Sequence, residues 1–188
     1  MALKDVLQPA FINPLHGICQ KAKLLLADAA EVATVPELTA RGAAFVGSAT
    51  DADYTTITTD FVFVTPLSMG FAEVEIMIYS GAQTGEVVGE EGSRQFLNKL
   101  VFAVTGASNA LEAMAARMLN IGVYAVVVEA DGNSRVYGSS CYPARIEAVT
   151  AQNPGNPAEG FKGMTFTLYY HDVVARAPKF TGSAPLIP

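Results

Sequence analysis

Apolar and polar positions along this chain alternate with period two more often than they recur with period 3.6, and that pattern predicts a mainly β protein. Ala72 to Tyr79 shows it most plainly: Val74, Ile76 and Ile78 take one face, Glu73 and Glu75 the other, so one face is core and the other is wet. Phe96 to Val104 repeats the pattern, with Leu100, Phe102 and Val104 opposite Val101 and Ala103. Lys21 to Ala27 reads as a first strand, followed by a single helical turn over Asp28-Ala-Ala-Glu-Val with Asp28 as its cap. Tyr54 to Val64 is dense in β-branched and aromatic residues and runs up to Pro66, which predicts one strand. Tyr124 to Glu129 is expected as a buried strand, Asp131-Gly132-Asn133 as a hairpin turn and Arg135 to Tyr137 as the return. Two further strands are expected at Ala144 to Thr150 and Met164 to Tyr170, separated by a loop rich in Pro and Gly.

The spacing predicts a helix over about 109–120. Leu111, Met114, Ala115, Met118 and Leu119 form an apolar stripe, Asn109 and Glu112 are placed as a capping pair, and Gly122 ends it. Such a helix should lie across a sheet, its Met residues filling core. Residues 1–17 carry Pro9 and Pro14 among the apolar pegs Phe11, Ile12 and Leu15, and are expected as an extended N-terminal arm whose pegs pack on their own domain or reach a neighbouring subunit. Residues 18–175 form a single β-rich domain, and 176–188, with Pro178, Pro185 and Pro188, a C-terminal arm. Between Ser80 and Gln95 four glycines punctuate a polar stretch, which is expected to be a long functional loop. The resulting fold class is mainly β (α+β): a β-sandwich or half-open barrel with one flanking α-helix.

Composition narrows the function. Half of the 188 residues are hydrophobic, enough for a real core, and only 16% are charged, against roughly 25% in typical soluble chains. A surface that poor in charge is consistent with contact to other protein, or simply with a large core. The net charge of −6 gives no basic field for phosphate backbones or anionic membrane surfaces. No apolar run reaches the roughly 18 residues of a spanning helix. The start of the chain has an acid and a proline where a signal peptide would continue apolar, so a cytoplasmic protein is expected.

Enzymatic chemistry is not legible. Thr105-Gly106-Ala107-Ser108 after an apolar strand looks like a dinucleotide-binding turn, but Ala110 and Glu112 stand where further glycines are needed, and the acid would repel phosphates. A strand turning into a capped helix is the better reading. Glu90 and Glu91 sit in a polar Gly-rich stretch where both are expected to be solvated. Cys19, Cys141, His16 and His171 are each isolated; the cysteines are expected as small buried hydrophobes, and no zinc site is expected. No catalytic residue, cofactor or metal ligand is assigned.

The order of features resembles that of bacteriophage tail-tube and related virion proteins, particularly those from phages or prophages of Bacteroides-like bacteria. The resemblance rests on Gly17-Ile18-Cys19 leading into Lys23-Leu-Leu-Leu-Ala-Asp-Ala-Ala-Glu-Val, the Gly/Glu stretch into Phe96-Leu-Asn-Lys-Leu-Val-Phe, the helix, and Val126-Val-Val-Glu-Ala-Asp-Gly-Asn-Ser-Arg-Val-Tyr-Gly. It covers most of the chain after residue 17 in short pieces, and both Pro-bounded arms depart from its simplest form. It implies a non-enzymatic homo-oligomer, a hexameric ring stacking into a tube, assembled in the bacterial cytoplasm and resident in the virion. Its partners would be copies of itself, other virion proteins and DNA passing without specific binding. The implied assembly contacts are Phe11, Ile12 and Leu15 on the arm and Thr84, Glu86, Val87, Val88, Glu90 and Glu91 in the Gly/Glu stretch. Glu73 and Glu75 are candidates for a lumen face, where negative charge would repel DNA phosphates, with ordinary solvation of an outer face as the open alternative. A capsid decoration protein, a neck or terminator protein, a secretion-system tube subunit, and a small β-rich ligand-binding or enzymatic domain stay open.

Overall fold

The computed structural model describes residues 23–39, 50–66, 68–77, 80–106, 108–129, 132–153 and 162–187. The expected N-terminal arm with Phe11, Ile12, Leu15, His16 and Cys19 lies outside them, as does most of the Pro/Gly loop after Asn153.

The chain is mainly β, as the alternation predicts. Its centre is β8 (Val123–Val128), apolar at every position. A strand of that kind must be covered on both faces, and it is: Val123, Ala125 and Val127 enter one core while Tyr124 and Val126 enter another. β1 (Lys23–Asp28) runs antiparallel beside it, and β5 (Ala72–Glu75) pairs with the other side of β1. On the opposite flank β9 (Ser134–Tyr137) returns from the predicted hairpin, where Gly132 adopts a φ of 84°. β12 (Lys179–Phe180) and β3 (Thr56–Ile57) complete a six-stranded sheet in the order β3-β12-β9-β8-β1-β5.

A second, four-stranded sheet packs on one face of the first in the order β10-β11-β7-β6, antiparallel throughout. Its strands are β6 (Ala82–Val88), β7 (Gln95–Thr105), β10 (Arg145–Gln152) and β11 (Gly163–Asp172). Leu100, Phe102, Phe166 and Leu168 point inward and are essentially inaccessible, with Phe102 stacked on Phe166 at 5.2 Å. A 3-10 turn, Ala29–Glu31, follows β1, and Asp28 caps it as expected by accepting from the Ala30 amide at 2.9 Å. The remaining pieces are β2 (Val32–Thr34), which pairs with β4 (Val62–Phe63), and the helices α1 (Asp51–Thr55) and α2 (Asn109–Met118).

Four expectations are corrected. Tyr54 to Val64 is not one strand: Thr50 and Asp53 form a reciprocal cap, the Thr50 amide and hydroxyl donating to Asp53 Oδ2 at 2.7 and 2.8 Å, and this winds 51–55 into α1. Those hydrogen bonds hold the Asp53 carboxyl below its ordinary pKa. Only Thr56–Ile57 and Val62–Phe63 remain extended in ladders, while Phe61 and Phe63 wedge edge-on against Phe71 in the second core at 4.9 and 5.5 Å. Ser80 to Gln95 is not a long loop but strand β6 and a tight turn, in which Gly89 and Gly92 have φ of 95° and 91°. Its strand character was hidden by Gly85, where a Cβ would come within 2.0 Å of the Ala175 carbonyl oxygen.

The C-terminal segment, expected as an arm without pattern, is laid onto its own domain. β12 is parallel to β3 and antiparallel to β9, and Phe180 is buried. Further on, Phe71 and Leu186 form a bridge. Finally, α2 is capped one residue earlier than expected, by Ser108, whose hydroxyl accepts from the Leu111 amide at 3.2 Å. Leu111, Ala115 and Met118 are buried, but Leu119 lies past the helix end and is 54% exposed.

The two sheets and the C-terminal segment meet at a buried ion cluster. Glu129, just after β8, faces Arg135 on β9, with Nε 2.8 Å from Oε2, a charge contact rather than an aligned hydrogen bond. Arg135 Nη1 donates to the Ala177 carbonyl at 2.6 Å. Gln83 of β6 donates to Glu129 Oε1 at 2.9 Å, and Arg176 donates to the same oxygen from a more exposed position. Removing one partner of a buried pair strands the other charge, which costs about 3–5 kcal/mol, whereas an exposed partner is worth below about 1 kcal/mol. Glu129→Ala is therefore expected to lower the urea-unfolding free energy by several-fold more than Arg176→Ala.

Next to this cluster burial, and secondarily the Glu129 charge, push the Tyr137 phenol far above its ordinary pKa, with Arg135 and Arg176 opposing. The unfolded chain releases that proton near pH 10 and the folded chain does not. Stability is thus intact below about pH 10 and falls above it. Tyr137→Phe should flatten that alkaline decline in a pH series of unfolding curves.

Candidate functional site

The outer face of the four-stranded sheet contributes no residue to either hydrophobic core among the described residues. Register places its rows: Thr84, Lys99, Tyr169 and Arg145 lie side by side, as do Ala82, Val101, Thr167 and Ala148. The opposite face of the same strands carries the core residues, so these side chains must point outward. Hydroxyls alternate with small and apolar residues, and the charges balance locally, Glu86 and Glu147 against Lys99 and Arg145. Lys99 Nζ lies 2.7 Å from Glu147 Oε1. That hydrogen bond raises the Lys99 pKa, the Coulomb attraction of Glu147 and Glu86 adding to it and partial desolvation opposing it.

The edges matter as much as the face. In the sheet order, β6 and β10 each pair on one side only. With four strands antiparallel throughout, the two edges run in opposite directions. β6 carries Thr84, Glu86, Val87 and Val88 of the expected assembly contacts, and Glu90 and Glu91 sit in the exposed turn after it. The structure therefore brings these six residues to one edge and its turn. Val87 is 58% exposed. Strand β10 on the far edge, exposed at most positions, was predicted as a strand but not as part of the site; its signal was a run of Ala and Thr with few large apolar residues.

Glu73 and Glu75 are placed elsewhere. They lie on β5 at the edge of the six-stranded sheet, exposed, with Glu73 opposite Leu25, a residue that packs toward the second core. Their side chains thus leave the sheet on the side away from the four-stranded layer.

Thr105 to Ser108 joins β7 to α2, and both neighbours of β7 are antiparallel, unlike the parallel βαβ unit of a dinucleotide fold. Cys141 corrects an expectation: it is a free thiol on an exposed turn, not a buried hydrophobe. His171 sits on the outer sheet face beside Tyr169 and Tyr142, ring centres 6.3 Å away in each case. Among the described residues no group of three or more His, Cys, Asp and Glu could hold a metal ion, and no helix is long and apolar enough to cross a membrane.

A separate feature is a groove of about 680 Å³ between α2 and the β1–β5 wing, apolar apart from Asp28 and Arg117. It has no convergent set of polar groups of the kind that orients a small ligand.

Comparison with known protein families, with curated proteins and with solved structures gives no match.

Substitutions at exposed positions away from cores, caps and ion clusters usually shift stability by less than about 0.5 kcal/mol. Val87→Lys on β6 and Thr150→Lys on β10 should therefore leave thermal and urea unfolding of the isolated chain unchanged within that margin.

Proposed function

We propose that this chain is a structural subunit of a phage virion that self-assembles into stacked rings forming a tail tube, through which DNA passes without specific binding. The observation that carries the reading is the four-stranded sheet with two opposed edges, β6 and β10. Copies set side by side continue the antiparallel alternation across every boundary, so a ring of subunits removes both edges at once. The contact is heterologous, edge against a different edge, and such contacts close into rings when the rotation allows.

The outer face of that sheet then lines the tube. It presents Thr84, Thr150, Thr165 and Thr167 with acids and bases in balance, a surface that neither attracts nor strongly repels phosphates. This replaces Glu73 and Glu75 as lumen residues, because they leave the other sheet on its far side. The turn holding Glu90 and Glu91 projects beyond the sheet and is suited to contact the next ring. A decoration or neck protein would use the same edges at another site of the virion, and is the second reading.

Deleting 83–92 would strip β6 from the sheet, so point substitutions are the cleaner test. Wild-type protein at high concentration should form rings or tubes in negative-stain micrographs. Val87→Lys combined with Thr150→Lys puts cations on the two edges that would meet, and should abolish them while the circular dichroism spectrum stays unchanged. A wild-type protein that remains monomeric by light scattering at every concentration overturns the reading.

A further inference from the structure

The core accounts fully for one stripe of helix α2 and only in part for a second, of which Met114 is partly buried against it. Leu111, Ala115 and Met118 are buried. Ala110, Ala113, Met114 and Arg117 follow i, i+3, i+4, i+7 spacing one step around the helix and line the 680 Å³ groove together with Ile121, which lies past the helix end and packs partly against the core. The other wall is the wing of the six-stranded sheet, with Leu26, Ala72 and Val74. Ala110, Ala113 and Ala72 are small and exposed, which leaves room for bulky side chains brought from elsewhere. Met114 and Met118 add an adaptable lining.

We propose that the occupant of this groove is the N-terminal segment of the same chain, with Phe11, Ile12 and Leu15 as the inserted side chains. Three observations single it out. The segment leads directly into β1, the strand that forms one wall. Leu15 and Phe11 precede Lys23 by 8 and 12 residues, a tether that reaches at most about 29 and 43 Å when extended. The groove lies along β1 toward Asp28, roughly 17 Å from Lys23, so the segment can double back with chain to spare. Its chemistry also fits: Phe11, Ile12 and Leu15 match an apolar groove, and Pro9 and Pro14 each fix one backbone angle, lowering the entropy lost on docking. Tethering supplies the rest, because a covalently attached segment has an effective concentration on the order of mM. The inference does not rest on the tube reading; it takes Phe11, Ile12 and Leu15 out of the assembly contacts that the resemblance implies and leaves those contacts to the sheet edges.

The test is photo-crosslinking of the full chain with a benzophenone amino acid in place of Ile12, followed by peptide mass spectrometry of the monomer band. Crosslinks within one chain to the peptide covering 110–121 are expected, and Ala113→Trp, which fills the groove from an exposed helix position, should remove them. Crosslinks that join two copies mean that the groove receives a second copy's arm; these, crosslinks elsewhere in the chain, or none at all, overturn the proposal. As an independent readout, the triple variant Phe11→Ser, Ile12→Ser, Leu15→Ser should speed amide exchange in α2 roughly threefold or more while β8 stays protected. Unchanged exchange in α2 also overturns it.

Discussion

Everything in this fold is arranged around a strand that cannot face water on either side. β8 is apolar at all of its positions, and leaving either face open would expose several large side chains, each worth about 1.5–3 kcal/mol when buried. One face is closed by a second sheet and a helix. The other is closed by short strands and the irregular chain between them: Phe61, Phe63, Phe71 and Phe180 meet edge to face, a geometry that ring quadrupoles favour, and substitute for a second broad layer. The need for that second cover explains why the C-terminal segment is drawn into the sheet and why the 50–71 region is broken into short pieces.

The closing segments are fastened by polar groups at points where apolar packing alone would leave them free to shift. Glu129 receives Gln83 from one sheet, Arg135 from the other and Arg176 from the C-terminal segment, so three separate stretches of chain share one carboxylate. A buried cluster of this kind adds little net stability over an apolar filling, but it penalises any arrangement that leaves a charge alone. Asp60, which accepts from the Ser183 amide at 2.6 Å, plays a smaller version of the same part at the sheet edge. The outer sheet is different. Its edges are unpaired among the described residues, its outer face is neutral, and the parity of its strands makes the two edges complementary in direction, which is what links this architecture to the idea of a repeating assembly.

Where alternation met an apolar core, the sequence was a reliable guide. β1, β7, β8, β9, β10, β11 and α2 all lie where period, apolar runs and turn residues place them, because burial selects apolar residues on one face of β7 and on both faces of β8. The misreadings share a cause as well. Tyr54 to Val64 has strand composition, yet a local cap between Thr50 and Asp53 turns its first part into a helix, and the capping pattern Thr50-x-x-Asp53 was there to be seen. β6 reads as a loop because an edge strand with one solvated face needs few apolar residues, and its Gly85 answers to the Ala175 backbone, a neighbour 90 positions away.

The sequence by itself determined the β-rich class, the hairpin at Gly132, the capped helix and the absence of any legible catalytic motif, since each depends on residues close together in the chain. Only the tertiary structure decided that the C-terminal segment is a strand, that Glu129 is the meeting point of three stretches, and that Glu86 and Glu73 belong to different sheets. Those outcomes depend on which distant surfaces meet. Local patterns of hydrophobicity specify that a face must be buried, but not what buries it.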